Sequence, residues 1–364
     1  MSRTINQVAV LGLGKVGELV ATLLVESGFK VVGFDAARRE CPPLEVHELD
    51  ASDRVALRDA LRGVDAVVSC LPFHANIPVA ETAHELGVHY FDLTEDVPTT
   101  DRIIQLAAQD ARALMAPQCG LAPGLVGIVA ASLAQQFESL RSMELKVGAL
   151  PQNPTGLLGY AFTWSAEGVV NEYLNDCEVL RGGRRQLVPA MSDDERVVLG
   201  GVELEASLTS GGLGTMCRTY EGRVDRLDYK TMRYPGHFAQ MRFLFDELGL
   251  RADRELAGRI LQDAKPPVDD DVVHVHVAVE GVHDGRPARA NYVRSYVPIE
   301  VAGRTWRAIS WTTAASCVAV VELVADGVLP SSGFLKQEDV ALADLHATKA
   351  GALLDRPTQT GRLA

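Results

Sequence analysis

Gly12, Gly14 and Gly17 stand at the spacing with which a polypeptide backbone holds a pyrophosphate. They interrupt the apolar run Val8-Ala-Val-Leu-Gly-Leu-Gly-Lys-Val-Gly17. Gly12 permits a tight turn, Gly14 lets backbone approach phosphate oxygens, and Gly17 lets the next helix pack on the strand. Lys15 and Val16 complete the loop. A helix starting near Val16 aims unpaired N–H groups and its positive dipole end at the same oxygens. A glycine triplet alone is weak evidence. Here a strand precedes it, an amphipathic helix (Glu18 to Glu26) follows, and a second strand, Lys30-Val-Val-Gly-Phe34, ends in Asp35. Asp35 lies 18 residues beyond Gly17, where a carboxylate accepts hydrogen bonds from the adenosine ribose hydroxyls. Such an acid binds a free 2′-hydroxyl and repels a 2′-phosphate, so NAD is the expected cofactor and NADP the second choice. Arg38 and Arg39 come within reach of a 2′-phosphate and are read as a solvated loop.

Other chemistry-bearing residues fall at further strand ends. Asp50 closes a third strand and is placed against adenine, with a helix cap as the competing role. In Ser69-Cys-Leu-Pro-Phe-His-Ala-Asn76, the backbone of Cys70, Leu71 and Pro72 is expected beside the nicotinamide ribose, with Asn76 also at the cofactor and capping the next helix. Phe91-Asp-Leu-Thr-Glu-Asp96 holds three acids in five residues. Such a cluster suits a cationic amine, and neighbouring acids raise one another's pKa toward that of a useful base. Asp92 is assigned to the cofactor, Glu95 to the substrate and Asp96 to the base. A cap for the helix expected from Thr99 is the alternative for Asp96. Gly120, in Pro117-Gln-Cys-Gly-Leu-Ala-Pro-Gly124, is placed at the nicotinamide end.

Two clusters lie further along. Tyr160-Ala-Phe-Thr-Trp-Ser165 and Asn171 interleave aromatic and polar side chains, and Tyr160, Trp164 and Asn171 are taken as substrate contacts. In Tyr229-Lys-Thr-Met-Arg-Tyr-Pro-Gly-His237, Lys230 and Arg233 are expected to clamp a carboxylate, and Tyr234 and His237 to move protons. His274 and His276 share a strand face, but no third ligand has useful spacing, so no metal is assigned.

The elements that position these residues change character along the chain. Strands are expected near 7–12, 30–34, 45–49, 65–71, 88–92 and 113–116, with helices near 16–27, 53–62, 76–86 and 99–111. That alternation of apolar strands with helices predicts a Rossmann, doubly wound parallel sheet of the α/β class, with ligands beyond the strands' carboxyl ends. From about Ser142 the pattern becomes an α+β domain on an open, mainly antiparallel sheet. It includes a long hairpin, Asp271–Val282 with Ala288–Val297, and helices near 165–174, 235–247 and 253–264. The apolar stretch Trp311–Ala325 predicts a buried helix that returns the chain to the first domain. The expected domains are 1–130 plus 311–364 for the dinucleotide and 131–310 for substrate and dimerisation; the tail after Asp355 reads as loose.

The chain has 364 residues, 47% of them hydrophobic, and a formal net charge of −13. This balance speaks against nucleic acid or an anionic membrane as partner and is compatible with a cationic small molecule. Six scattered cysteines with no CxxC pair read as reduced thiols of a cytoplasmic protein. Met1 to Asn6 run straight into the first strand, so no signal peptide is expected, nor any bilayer-spanning run. The long hairpin offers an edge strand that self-pairing would protect, which predicts a homodimer or a dimer of dimers.

Taken together, these segments resemble the saccharopine dehydrogenase-like family, and within it the lysine 6-dehydrogenase branch. The resemblance covers nearly the whole chain. Its carriers are Gly12-Leu-Gly-Lys-Val-Gly17, Tyr90–Asp96, Pro117–Gly124, Val147-Gly-Ala-Leu-Pro151, Thr163-Trp-Ser165 with Asn171-Glu-Tyr173, Thr209–Thr215, Tyr229–His237 and Gly333–Asp339. It implies NAD-linked oxidation at the carbon bearing a side-chain amine: lysine becomes an ε-imine, then 2-aminoadipate 6-semialdehyde, which cyclises. The saccharopine-forming branch must hold a dicarboxylate as well. It is expected to carry a tyrosine where this chain has Phe73. A saccharopine- or carboxynorspermidine-type dehydrogenase and a catalytically silent NAD-binding protein are the alternatives.

Overall fold

The computed structural model describes residues 3–39, 41, 44–110 and 112–356; the expected loose tail lies outside the described residues from 357 onward. The chain forms two compact units, residues 1–128 with 310–356, and residues 129–309.

In the first unit, near-continuous apolar strands alternate with helices. The order is β1 (Gln7–Leu11), α1 (Gly17–Glu26), β2 (Lys30–Asp35), β3 (Glu45–Glu48), α2 (Arg54–Ala60), β4 (Ala66–Ser69), α3 (Asn76–Leu86), β5 (His89–Asp92), α4 (Val97–Gln109) and β6 (Leu114–Ala116). All pairings are parallel, in spatial order β6-β5-β4-β1-β2-β3. A two-residue strand, Gly333–Phe334, adds a seventh position beside β6. It is too short to leave a periodic signal. α4 starts two residues earlier than expected, because Asp96 caps it and Pro98 fits its first turn. Ala9, Leu11, Val67, Tyr90, Ile103 and Met115 are among the buried residues of this core.

Helix α5 (Leu125–Ala134) leads to the second unit. There β7 (Ser139–Pro151), α6 (Ala166–Leu174), β8 (Cys177–Arg181), β9 (Arg184–Val188), β10 (Glu195–Leu199), β11 (Val202–Leu208), α7 (Met216–Tyr220), β12 (Arg226–Arg233), α8 (His237–Arg242), α9 (Arg254–Ala264), β13 (Asp271–His283) and β14 (Arg286–Tyr296) follow. The main sheet runs β10-β11-β12-β7-β13-β14, with β8 on β12 and β9 on β8. It is mainly antiparallel as expected, except that β12 pairs with β7 in parallel. β10 was not expected, although Gly200-Gly201, both at positive φ, turns it into a hairpin with β11. The long hairpin turns at Asp284-Gly285, both in the left-handed region, so Pro287 lies inside β14. That is tolerable because β14 ends the sheet and, among the described residues, pairs with β13 alone.

Helix α10 (Ala308–Ala325) is long and apolar enough by composition to cross a bilayer, contrary to the expectation of no such run, yet 89% of it is buried in protein. Its first N–H groups are capped from β13: Asp271 accepts from Ala308 at 2.6 Å and Ile309 at 2.9 Å.

Candidate active site

The glycine loop separates into residues that the protein needs and one that it does not. Gly12 has φ of +85°, and a Cβ there would meet the Cys70 carbonyl oxygen and the Leu71 side chain at 3.0 Å. A Cβ on Gly17 would lie 1.8 Å from the Gly12 carbonyl oxygen. Both glycines are therefore demanded by packing between strand, helix and neighbouring loop. Gly14 is exposed, and a Cβ there would meet nothing within 4 Å. Open space beside a bare backbone at the head of α1 fits a pyrophosphate, flanked by exposed Lys15 and half-buried Val16.

Asp35 ends β2 beside that loop. Its Oδ2 accepts from the Leu13 N–H at 2.8 Å and its Oδ1 from the Ala37 N–H at 2.9 Å. Arg39 is exposed, as expected of a solvated loop, and its Nε lies 3.1 Å from Asp35 Oδ2. Burial works against the Asp35 charge, but the two backbone donors and Arg39 outweigh it and hold the carboxyl below its usual range. Asp50 is turned to its own loop, accepting from the Ser52 N–H and hydroxyl, while Asp53 caps α2. Asn76 is corrected. It is the first residue of α3 rather than its cap, and its buried Oδ1 accepts from the Ser69 hydroxyl at 2.6 Å, tying the end of β4 to the helix. Cys70 and Leu71 are half-buried and Pro72 exposed.

At the end of β5 the acids divide. Asp92 is wholly buried; its Oδ1 accepts from the N–H groups of Thr94 at 3.0 Å and Gln118 at 2.9 Å, and its Oδ2 from the Tyr90 hydroxyl at 2.7 Å. Burial dominates, Asp96 adds a like charge, and the pKa is pushed up to about 6 despite those donors. Gln118 sits at φ of +65°, and the Cys119 N–H bonds the Asp92 carbonyl at 2.9 Å, so the 117–124 loop is wrapped onto this acid. Gly120 is buried there, and a Cβ on Gly124 would lie 2.0 Å from its carbonyl oxygen.

Asp96, expected to be the base, is an N-cap: its Oδ2 accepts from Thr99 N at 2.9 Å and Thr99 Oγ1 at 2.7 Å. Glu95 stays half-buried at the strand end. Of the three acids, the poised one is Asp92, which had been assigned to the cofactor.

The second unit gathers a buried polar cluster around Arg233. Strand periodicity puts Lys230 and Arg233 on opposite faces of β12, so the expected two-cation clamp does not form. Lys230 pairs with Glu195 at 3.0 Å and Asp193 at 3.3 Å, beside Lys146 on β7. Arg233 is 2% exposed. Its Nε donates to the Tyr173 hydroxyl at 2.8 Å, its guanidinium lies 4.5 Å from the Tyr160 ring centre, and Glu172 is 4.0 Å away.

His237 completes the cluster, with its Nδ1 3.0 Å from the Leu158 carbonyl and its Nε2 3.0 Å from the Tyr173 hydroxyl. A carbonyl only accepts, so Nδ1 carries the proton, Nε2 accepts from Tyr173, and Tyr173 accepts from Arg233. Burial and the Arg233 charge push the His237 pKa down to about 3. It is a neutral strut, which corrects the proton-moving role expected of it. Tyr234 is likewise corrected: it is half-buried and its hydroxyl donates to the Pro151 carbonyl at 2.9 Å. Asn171 accepts from Arg254 at 2.8 Å, off the cluster. The inward face of α6 is marked by Val169, Val170 and Tyr173, a periodicity that could have selected Tyr173 over Asn171.

Two hydroxyls, Tyr160 Oη and Thr163 Oγ1, are buried without a hydrogen-bond partner. Half-buried Trp164 lies beside the Tyr160 hydroxyl and, with Arg233, offsets part of the rise that burial imposes on its pKa.

A parallel sheet with a glycine loop at its carboxyl edge defines a dinucleotide-binding α/β protein, here joined to an α+β unit with a buried arginine. Residues 8–117 match the family model of the saccharopine dehydrogenase NADP binding domain, and residues 120–349 that of the saccharopine dehydrogenase C-terminal domain. The chain belongs to the saccharopine dehydrogenase family. Saccharopine dehydrogenase [NADP(+), L-glutamate-forming] of Pyricularia oryzae is 25% identical over 195 residues, 49% of this chain and 42% of that protein's length. Among solved structures, apo saccharopine dehydrogenase (L-Glu forming) from Saccharomyces cerevisiae has a TM-score of 0.73 at 15% identity, covering 93% of this chain and 95% of that one. Homospermidine synthase of Legionella pneumophila, solved with NAD, has a TM-score of 0.64 at 13% identity, covering 95% and 89%. At these identities the two structures establish the fold.

Proposed function

We propose that this protein is an NAD-dependent oxidoreductase that acts on the side-chain amine of an amino acid, with L-lysine as substrate and 2-aminoadipate 6-semialdehyde as product. The observation that carries this reading is Arg233, buried with its guanidinium over the Tyr160 ring, whose hydroxyl has no aligned hydrogen-bond partner among the described residues. A buried cation with idle donors is what an α-carboxylate requires. A polyamine has no carboxylate for Arg233 to hold. Saccharopine brings further carboxylates, yet Lys230, the other cation of Tyr229–His237, is committed to acids on the opposite face.

The nicotinamide cofactor, when bound, supplies the hydride acceptor; Asp35 favours NAD for that role. The ε-ammonium must lose a proton before it is oxidised, and within the dinucleotide-binding unit Asp92, with a pKa near 6, is the carboxylate whose pKa suits a base. Tyr90 O–H donates to that carboxylate and steadies its charge while it is empty. The Tyr173–His237 pair holds the Arg233 fork in place. Hydrolysis of the imine releases ammonia, and the semialdehyde cyclises.

The test is absorbance of NADH with NAD and lysine as the only substrate. Reduction is expected, and Arg233→Gln should raise KM for lysine by roughly 100-fold with a smaller loss in kcat. Reduction with saccharopine alone would assign the chain to the saccharopine reaction. No reduction with lysine, ornithine, polyamines or saccharopine, with NADH still bound, would leave a silent dinucleotide-binding protein.

A further inference from the structure

The peptide group between Pro117 and Gln118 is gripped on both sides. Its N–H donates to Asp92 Oδ1 at 2.9 Å, and its carbonyl oxygen accepts from Gln337 Nε2 at 2.9 Å. A trans peptide is planar with its C=O and N–H pointing in opposite directions, so fixing one group aims the other. Donation to the carbonyl also polarises the peptide and strengthens the bond that its N–H makes. Gln337 lies 220 residues further along the chain than Pro117. The short strand Gly333–Phe334 beside β6 brings it there, with the Leu335 N–H bonded to the Met115 carbonyl at 3.0 Å.

The side chain of Gln118 secures the same peptide from the other direction. At φ of +65° the residue holds a conformation that side chains disfavour. Its Nε2 donates to the buried Thr100 Oγ1 at 3.0 Å, and that hydroxyl donates to the Asp96 carbonyl at 3.0 Å. Residue 118 is thereby tied to the first turn of α4. Packing alone does not call for such an arrangement. Leucine would fill the place of Gln337 without burying an amide, and Gln337 Oε1 is buried with no hydrogen-bond partner among the described residues. An unsatisfied oxygen is tolerated there for the sake of the Nε2 donors, which reach the Pro117 carbonyl and, at 3.2 Å, Cys119 Sγ.

We propose that Gln337 and Gln118 are positioning residues for Asp92: Gln337 aims the peptide N–H at its carboxylate, and the Gln118 side chain keeps that peptide from turning away. For turnover the inference rests on Asp92 as the base; the placement itself does not depend on the substrate.

NMR of the Asp92 carboxyl carbon and of the Gln118 amide proton, followed from about pH 4 to 9, tests it without turnover. The Gln118 amide proton should titrate together with Asp92. Gln337→Leu and Thr100→Val keep the bulk of the side chains they replace. Each should move that amide proton upfield and raise the Asp92 pKa from about 6 to about 7, because no water replaces the weakened donor. Tyr90, Asp96, Cys70, Cys119 and Cys317, which stand around Asp92, are unaltered in both variants. Thr100→Val acts from α4 and keeps the test open should Gln337→Leu fail to fold. An Asp92 pKa that stays in place while stability drops would make the glutamines packing residues and overturn the proposal. So would a pKa that falls, since the loop would then be opening to water rather than turning its peptide. Where lysine reduces NAD, the acid limb of kcat/KM should move up with the Asp92 pKa. Absence of lysine turnover with both NMR shifts present refutes only the amine reading.

Discussion

Asp35 and Asp92 end parallel strands of one sheet, and their carboxylates are held almost alike. Each accepts from two backbone N–H groups and one side chain: Leu13, Ala37 and Arg39 for the first, Thr94, Gln118 and Tyr90 for the second. Yet one titrates below the usual carboxylate range and the other near 6. Equal numbers of donors rule out hydrogen-bond count as the cause. What differs is that Asp92 has no exposed surface and a neutral third partner, whereas Asp35 keeps some water and a cation. Solvent and one formal charge thus turn the same backbone cradle into a fixed anion at one strand end and a proton store at the other.

The largest effect should come from deleting each acid. Asp92→Ala strands two buried N–H groups and a buried hydroxyl, each costing about 1–3 kcal/mol, so a loss of roughly 3–5 kcal/mol is expected in urea unfolding. Asp35→Ala exposes its donors to water and should cost about 1 kcal/mol, with weakened NADH binding as its main phenotype. Equal stability losses would break the comparison, because burial would then not be the difference.

How much of this was readable beforehand follows from what each feature depends on. The glycine loop and Asp35 were legible because backbone turn, helix start and strand end lie at fixed offsets in sequence. Asp96 was misjudged although its cap was legible too: Pro98 and Thr99 follow it at the positions a helix start favours. Asp92 could be placed at a strand end, but nothing local says that the 117–124 loop seals it. The Lys230–Arg233 clamp does not form because β12 runs through both residues, and a period of two puts them on opposite faces. The neutrality of His237 depends on Leu158 and Tyr173, distant in sequence, and only folding brings them together.

Next in size are the pH dependences, which have opposite signs. Asp92 has a folded pKa raised from 3.8 to about 6. Between those values the folded state binds the proton and the unfolded state does not, so stability relative to Asp92→Asn should fall as pH rises, at up to about 1.4 kcal/mol per pH unit, and flatten above 6. Asp35, depressed in the fold, contributes stability that is complete above about 3.8 and is lost as pH drops below that value. Unfolding of the wild type, Asp92→Asn and Asp35→Asn across pH 3 to 7 separates the two windows. Parallel profiles would show that the two acids do not differ in their titration.

The smallest effects test the third partner directly. Tyr90→Phe removes the hydroxyl from Asp92 Oδ2 in a site without water to replace it, so the Asp92 pKa should rise further and stability drop by about 1 kcal/mol. Arg39→Gln removes the cation from Asp35, but the acid keeps both backbone donors and some solvent. Its pKa should rise only slightly, with stability changed by less than about 0.5 kcal/mol. Carboxyl carbon NMR titration of the two variants reads both shifts. Should Arg39→Gln move Asp35 as far as Tyr90→Phe moves Asp92, the cation and not the solvent would be what holds Asp35 ionised, and the contrast between the two strand ends would reduce to one arginine.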